Sequence, residues 1–182
     1  MTTIQTIAAT TECNDVIPEQ MNTELTILSG KFAGTCYAKE GYQTIRTQQV
    51  ERAVKRAEGT AERGHHSVFQ HCMVTMEIQC PKIIAMLLNY IGVSNTSEKS
   101  ARYTKMQPQT EKEREFYEKW HTLVLERICE VYQGKFDEKE VDKLAYENAR
   151  YMISVFCPTA MVYSLPFRNI FYVLDWRSEE RR

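Results

Sequence analysis

Long apolar runs are missing from this chain. The longest, Ile83–Leu88, is far too short to span a bilayer. The opening residues, MTTIQTIAATTECND, carry neither a basic stretch nor a long apolar one, so no secretory signal is legible and a cytoplasmic protein is expected. Neither sign of charge is in excess. Lys and Arg number 23 against 24 Asp and Glu, a formal net of −1, which excludes a global pull towards nucleic acid or membrane. The six cysteines, at positions 13, 36, 72, 80, 129 and 157, include no CxxC pair and no zinc-ribbon spacing. Reduced, mostly buried thiols are expected, with neither a disulfide set nor a catalytic thiolate. Repeats, low-complexity tracts and interdomain linkers are also lacking. What remains is a chain of 182 residues, 43% hydrophobic and 26% charged. That suits one globular domain over 1–182, burying roughly two-thirds of its unfolded surface.

Along the chain, residues 3–9 and 24–29 (ELTILS) are apolar and β-branched enough to predict strands. From Thr44 to Glu58, Ile45, Val50, Val54 and Ala57 predict one amphipathic helix. Residues 72–80 alternate, with Val74, Met76 and Ile78 on one face of a strand. Pro81 then opens a helix that Gly92 stops. Thr110, ahead of an acidic first turn, caps a long helix ending near Gly134, with Phe116, Trp120, Leu123, Val124, Ile128 and Val131 at helical spacing. A further helix spans about 137–149 and buries Val141, Leu144, Ala145 and Ala149. Residues 159–165 read as a strand and Pro166 opens a last helix. Strands and helices mix without strict alternation, which predicts an α+β fold.

Three regions could carry chemistry. Gly64–His71 (GHHSVFQH) holds three of the four histidines, but its spacing is not that of a helical metal site. A hydrogen-bonded structural histidine and a ligand-contacting one both stay open. Ser97–Tyr103 (SEKSARY) combines hydroxyls with Lys99 and Arg102, donors suited to an anion, or else forms a solvated loop. Arg150, Arg168 and Arg177 follow. Arg168 and Arg177 are nine residues apart and do not share a helical face, and on spacing alone each suits the surface as well as a site.

In this order the three regions resemble the flavin-dependent thymidylate synthase family. Its GHxSxxEH element corresponds to Gly64–His71, and its RHRxxSxNExSxRY motif falls on Tyr90–Tyr103. An ARxxLP-like segment corresponds to Ala149–Ser154, and the closing NAR…LR helix to Pro166–Arg168 through Trp176–Arg177. The match runs from about residue 45 to 177. It implies a mostly antiparallel sheet flanked by helices, a fold like that of the thymidylate synthase complementing proteins. It also implies methylation of dUMP at C5 without a cysteine nucleophile, with methylenetetrahydrofolate as carbon donor and NADPH and FAD supplying the hydride. Carried over by position, Lys99, Ser100, Arg102 and Arg150 hold the nucleotide, and Arg177 faces the uracil ring as the catalytic residue. His65, Ser67 and Glu98 lie near the flavin, and no metal is implied. Family members form homotetramers with shared sites.

The chain departs from the pattern where the family's RHR triplet grips FAD, having Tyr90-Ile91-Gly92 instead. Gln70 replaces the Glu of the histidine element and Pro166 the Asn of NAR. SEKSARY keeps more of the motif than the flavin half does. A non-catalytic nucleotide-binding homologue and a methylase of another pyrimidine nucleotide therefore stand beside the leading expectation. The chain also ends five residues after Arg177, where the family usually continues with another helical segment, so a shortened member or a fragment is expected.

Overall fold

Two alternating sequences build the centre of the sheet. In β2 (Met73–Pro81) Val74, Ile78 and Cys80 are buried while Gln79 faces solvent. In β4 (Pro158–Pro166) Thr159, Met161, Tyr163 and Leu165 are buried and Val162 is exposed. A period of two with one apolar face is what a half-buried strand requires. The two strands pair antiparallel: Phe167 N–H donates to Cys72 O (2.7 Å) at one end and Lys82 N–H to Cys157 O (2.8 Å) at the other. Between them the hydroxyls of Thr75 and Ser164 meet at 2.9 Å. β1 (Thr3–Ala9) flanks β2, and the short β3 (Asn95–Glu98) flanks β4, giving the order β1-β2-β4-β3. The fold is α+β, an antiparallel sheet flanked by helices, as expected. The computed structural model describes residues 1–10 and 20–179, with side chains to residue 175.

The described elements group into two compact units. One comprises Ile4–Ile78, Leu88–Ser97 and Val162–Arg182. Residues 24–29, expected as a strand, lie instead within helix α1 (Met21–Thr35). A short apolar run fits either structure, and here burial at Leu25, Leu28, Ser29 and Ala33 follows the helical period. The single helix expected over 44–58 is two, α2 (Tyr42–Arg46) and α3 (Val50–Glu62), because Gln49 takes an extended conformation (φ −55°, ψ 138°). Arg56 braces that break. Its guanidinium donates to Gln48 Oε1 (2.7 Å) and to Gly30 O in α1 (2.9 Å). α1 and α3 approach so closely that a Cβ at Gly30 would collide with the carbonyl of Ala53. Leu25, Leu28, Ala57, Phe69, Cys72, Val74 and Phe167 form the core of this unit.

The other unit comprises Met1–Thr3, Gln79–Leu87 and Glu98–Met161. It contains most of α4 (Lys82–Leu88), all of α5 (Glu111–Tyr132) and α6 (Glu138–Ala149), and a core of Tyr117, Ala149, Ile153 and Cys157. Both expected helix starts are capped. Thr110 Oγ1 accepts from Glu113 N–H (3.2 Å), and Asp137 with Glu140 forms a reciprocal capping box (2.8 and 3.0 Å). α5 turns only Tyr117 fully inward, while Phe116, Trp120, Leu123 and Val131 stay exposed. Glu113 also receives the backbone N–H groups of Gln109 (2.7 Å) and Ser154 (3.1 Å). These bonds, Gln109 first and then Ser154, hold its carboxyl below the ordinary range.

Two expectations follow from this packing. Helix propensity favours Gly30→Ala by about 1 kcal/mol, whereas the blocked approach to Ala53 predicts a net loss of about 1–3 kcal/mol from overpacking. Urea denaturation decides by the direction of the midpoint shift. Glu113 has a folded-state pKa below its unfolded one, so its contribution is present above about pH 4.5 and fades as pH falls through the folded value. Glu113→Gln is therefore expected to lower the melting temperature at pH 7, with the gap to the parent closing between pH 4.5 and lower pH. A gap that stays constant across that range contradicts the assignment.

Candidate functional site

Where β3 ends, the chain changes from sheet to a cationic turn. Glu98 is the last residue of the strand, its side chain only 16% exposed. Its Oε1 accepts from Lys82 Nζ at 2.6 Å and from Thr159 Oγ1 at 3.0 Å. Lys99 N–H then donates to Ala160 O (2.9 Å). Beyond this the backbone folds on itself: Ser100 Oγ accepts from Arg102 N–H (3.2 Å), and Ser100 O accepts from Thr104 N–H (3.0 Å) and Thr104 Oγ1 (2.6 Å). A serine that satisfies its own turn in this way frees the next side chains to project outward.

Arg102 projects into a cleft of about 260 Å³, and Arg150, at the end of α6, lines the same cleft. The structure thus brings together two of the expected nucleotide-binding residues. Ser100 shapes the turn without lining the cleft, and the Lys99 side chain lines a separate hollow with Gln79, Pro81 and Gln109. Three lysines join the arginines: Lys105, Lys139 and Lys143. Only Asp142 and Glu147 oppose them. Asp142 also holds His121 Nε2 at 2.9 Å.

An aromatic layer supports this charge. The Tyr146 ring carries Lys105 Nζ 3.7 Å from its centroid and stacks on His121 at 3.9 Å and Tyr117 at 5.9 Å. An ammonium over a ring face is attracted electrostatically and is held extended by that contact. Burial, with Tyr146 and Asp142 as lesser causes, pushes the Tyr117 phenol up to about 12, so it stays neutral at physiological pH. Sequence reasoning missed the lysines, yet one signal was available. Lys139, Lys143, Tyr146 and Arg150 recur at intervals of four, three and four, one face of a helix.

The residues expected near a flavin are distributed differently. His65 and Ser67 are exposed at a 3-10 turn spanning 66–70, while Glu98 is held as described above. Of the neighbouring histidines, His66 Nε2 lies 3.1 Å from Ala61 O and His71 packs edge-on to Phe32 at 5.3 Å, both structural contacts. No cluster suited to a metal occurs among the described residues. α7 (Phe167–Glu179) carries Arg168, whose Nε donates to Tyr172 Oη (2.7 Å) beside a hollow of about 330 Å³ lined by Phe69, Phe167 and Phe171. The side chain of Arg177 lies outside the described residues. At Tyr90–Gly92, Tyr90 is exposed. Gly92 has φ +67°, and a Cβ there would press to 2.8 Å from Asn169 Nδ2. That amide donates to Val93 O (2.7 Å).

Comparison with known proteins shows which proteins this chain resembles in sequence and fold. The chain is 25% identical over 154 residues to a flavin-dependent thymidylate synthase of Thermococcus onnurineus, a match covering 78% of this chain and 60% of the relative. It is 22% identical over 157 residues to the same enzyme of Pyrococcus furiosus, covering 80% and 61%. The chain thus spans about three-fifths of the length of these curated relatives. Among solved structures, its fold resembles that of the UMP/dUMP methylase PolB from Streptomyces cacaoi bound with 5-Br dUMP. There the TM-score is 0.59 and identity 12%, over 93% of this chain and 74% of the other. A family model described as thymidylate synthase complementing protein matches residues 19–182. The chain belongs to the thymidylate synthase complementing protein family.

Proposed function

We propose that the chain binds a uridine nucleotide with its phosphate between Arg102 and Arg150, and that it methylates dUMP at C5 to give dTMP. The shared cleft of these two arginines is the observation that carries the reading. A phosphate dianion takes bidentate, charge-assisted hydrogen bonds from guanidinium groups better than from any other side chain. Methylenetetrahydrofolate supplies the carbon and NADPH the reducing equivalents in this reading, with FAD as the group that passes the hydride. Arg177 has the role of stabilising negative charge on a pyrimidine carbonyl as the ring is activated. The scheme uses no cysteine nucleophile: Cys72, Cys80 and Cys157 are buried with thiols that burial pushes up, and the exposed Cys36 and Cys129 line neither the cleft of Arg102 nor its turn. A homotetramer belongs to the same reading, and the exposed Phe116, Trp120 and Leu123 of α5 support it.

The donors present fit FAD only in part. His65 and Ser67 offer an imidazole and a hydroxyl suited to the polar edge of a flavin ring. Tyr90-Ile91-Gly92 offers no cation to its pyrophosphate, and the space beside Gly92 is taken by Asn169. This favours a second reading, in which the chain binds the nucleotide without turning it over.

Two measurements separate these readings. Arg102→Ala and Arg150→Ala are each expected to weaken dUMP binding about 10–100-fold by calorimetry, the range for losing a charged hydrogen-bond partner. Unchanged affinity in both overturns the phosphate assignment. For the chemistry, the purified protein is expected to perturb the visible spectrum of added FAD. It is also expected to exchange the C5 hydrogen of dUMP, with the exchange lost in Arg177→Ala. Nucleotide binding with neither flavin binding nor exchange establishes the non-catalytic homologue instead.

A further inference from the structure

The three lysines of the cleft are more than a nucleoside monophosphate requires. A single phosphate carries at most about two negative charges at neutral pH, a demand that Arg102 and Arg150 already meet. Lys139 and Lys143 lie one turn apart on α6, on the face that also presents Arg150. Lys143 and Arg150 are separated by about 10 Å along the helix axis, at 1.5 Å rise per residue. Two long cationic side chains close such a gap readily. Lys105 stands opposite, at the end of the turn that carries Arg102, with its ammonium 3.7 Å above the Tyr146 ring.

Opposing charge within the cleft does not balance this group. Asp142 is engaged by His121, and Glu147 is the other carboxylate lining the cleft. Five cations line about 260 Å³ against those two carboxylates, and like charges so gathered repel one another. An anion with two linked phosphates relieves that repulsion where a single phosphate cannot reach every lysine. We propose that Lys105, Lys139 and Lys143 form a second phosphate subsite beside Arg102 and Arg150, so that the cleft takes a uridine nucleoside diphosphate more tightly than the monophosphate. The inference rests on the proposed nucleotide reading of the same cleft and extends it to the class of ligand. Because both ligands claim the two arginines, the diphosphate and the monophosphate exclude one another.

Calorimetric titration of the full chain at 0.15 M salt with dUMP, dUDP and inorganic pyrophosphate tests this. dUDP is expected to bind about tenfold more tightly than dUMP, the equivalent of one added charge-assisted contact. In the double variant Lys139→Gln/Lys143→Gln, that ratio is expected to fall to about one or two. Both positions are exposed, and circular dichroism of the variant checks that it folds. dUMP binding as tightly as dUDP overturns the second subsite while leaving the nucleotide reading intact. A ratio unchanged in the folded double variant overturns the role of the lysines. Pyrophosphate binding as tightly as dUDP overturns recognition of a nucleotide in favour of a bare anion site. Failure of every uridine nucleotide to bind overturns this inference together with the reading beneath it.

Discussion

Glu98 stands at the point where paired backbone gives way to the turn that carries Arg102, and two groups distant in sequence hold its carboxylate. Lys82 begins α4 and Thr159 lies in β4, so one oxygen atom ties together three segments. Removing one partner from such an arrangement leaves a shielded charge or hydroxyl unpaired, typically at about 1–3 kcal/mol. The gain is positional. With Glu98 fixed and Lys99 hydrogen-bonded to Ala160, the Ser100 turn that carries Arg102 starts from a fixed strand end. Functional side chains held by regular elements are more accurately placed than those on unsupported loops.

The cleft shows how a nearly neutral chain makes a strongly charged site. Formal charge sums to −1 over the whole sequence, yet one face of α6 and one turn gather five cations. Tyrosines form the floor beneath them, and an aromatic floor keeps an ammonium extended without neutralising it. A carboxylate in the same position would pair the lysine off and make it unavailable to a ligand. The architecture therefore separates holding a charge from compensating it.

Much of this was legible in the sequence where local signals and tertiary packing agree. The strands over 72–80 and 159–165, the cap at Thr110, the helix over about 137–149 and the helix stop near Gly134 rest on alternation, capping chemistry and left-handed glycine, and all recur in the structure, whereas the helix expected to run to Gly92 ends at Leu88. ELTILS misleads because its apolar residues fit a strand as well as one helical face, and only packing of Leu25 and Leu28 in the core selects the helix. The split between α2 and α3 is invisible for a related reason, since the stripe Ile45–Val50–Val54 continues across a break that Arg56 holds from outside. In the site, the resemblance marked Arg102 and Arg150, while Lys105, Lys139 and Lys143 lie outside any motif. Lys99 lies inside the motif and yet its side chain turns to a different hollow, because neighbouring residues at a strand end point to opposite sides.

The near contact between Gly30 and Ala53 has a consequence for the alignment of the helices that make it. Sliding α1 along α3 by one turn in one direction would bring Thr26, four residues before Gly30, under the Ala53 carbonyl, where there is no room for a side chain. It would also take the Gly30 carbonyl away from Arg56. Coiled pairs with broad apolar seams tolerate several alignments of similar energy. This pair is keyed against that slide, in the manner of a tongue and a slot.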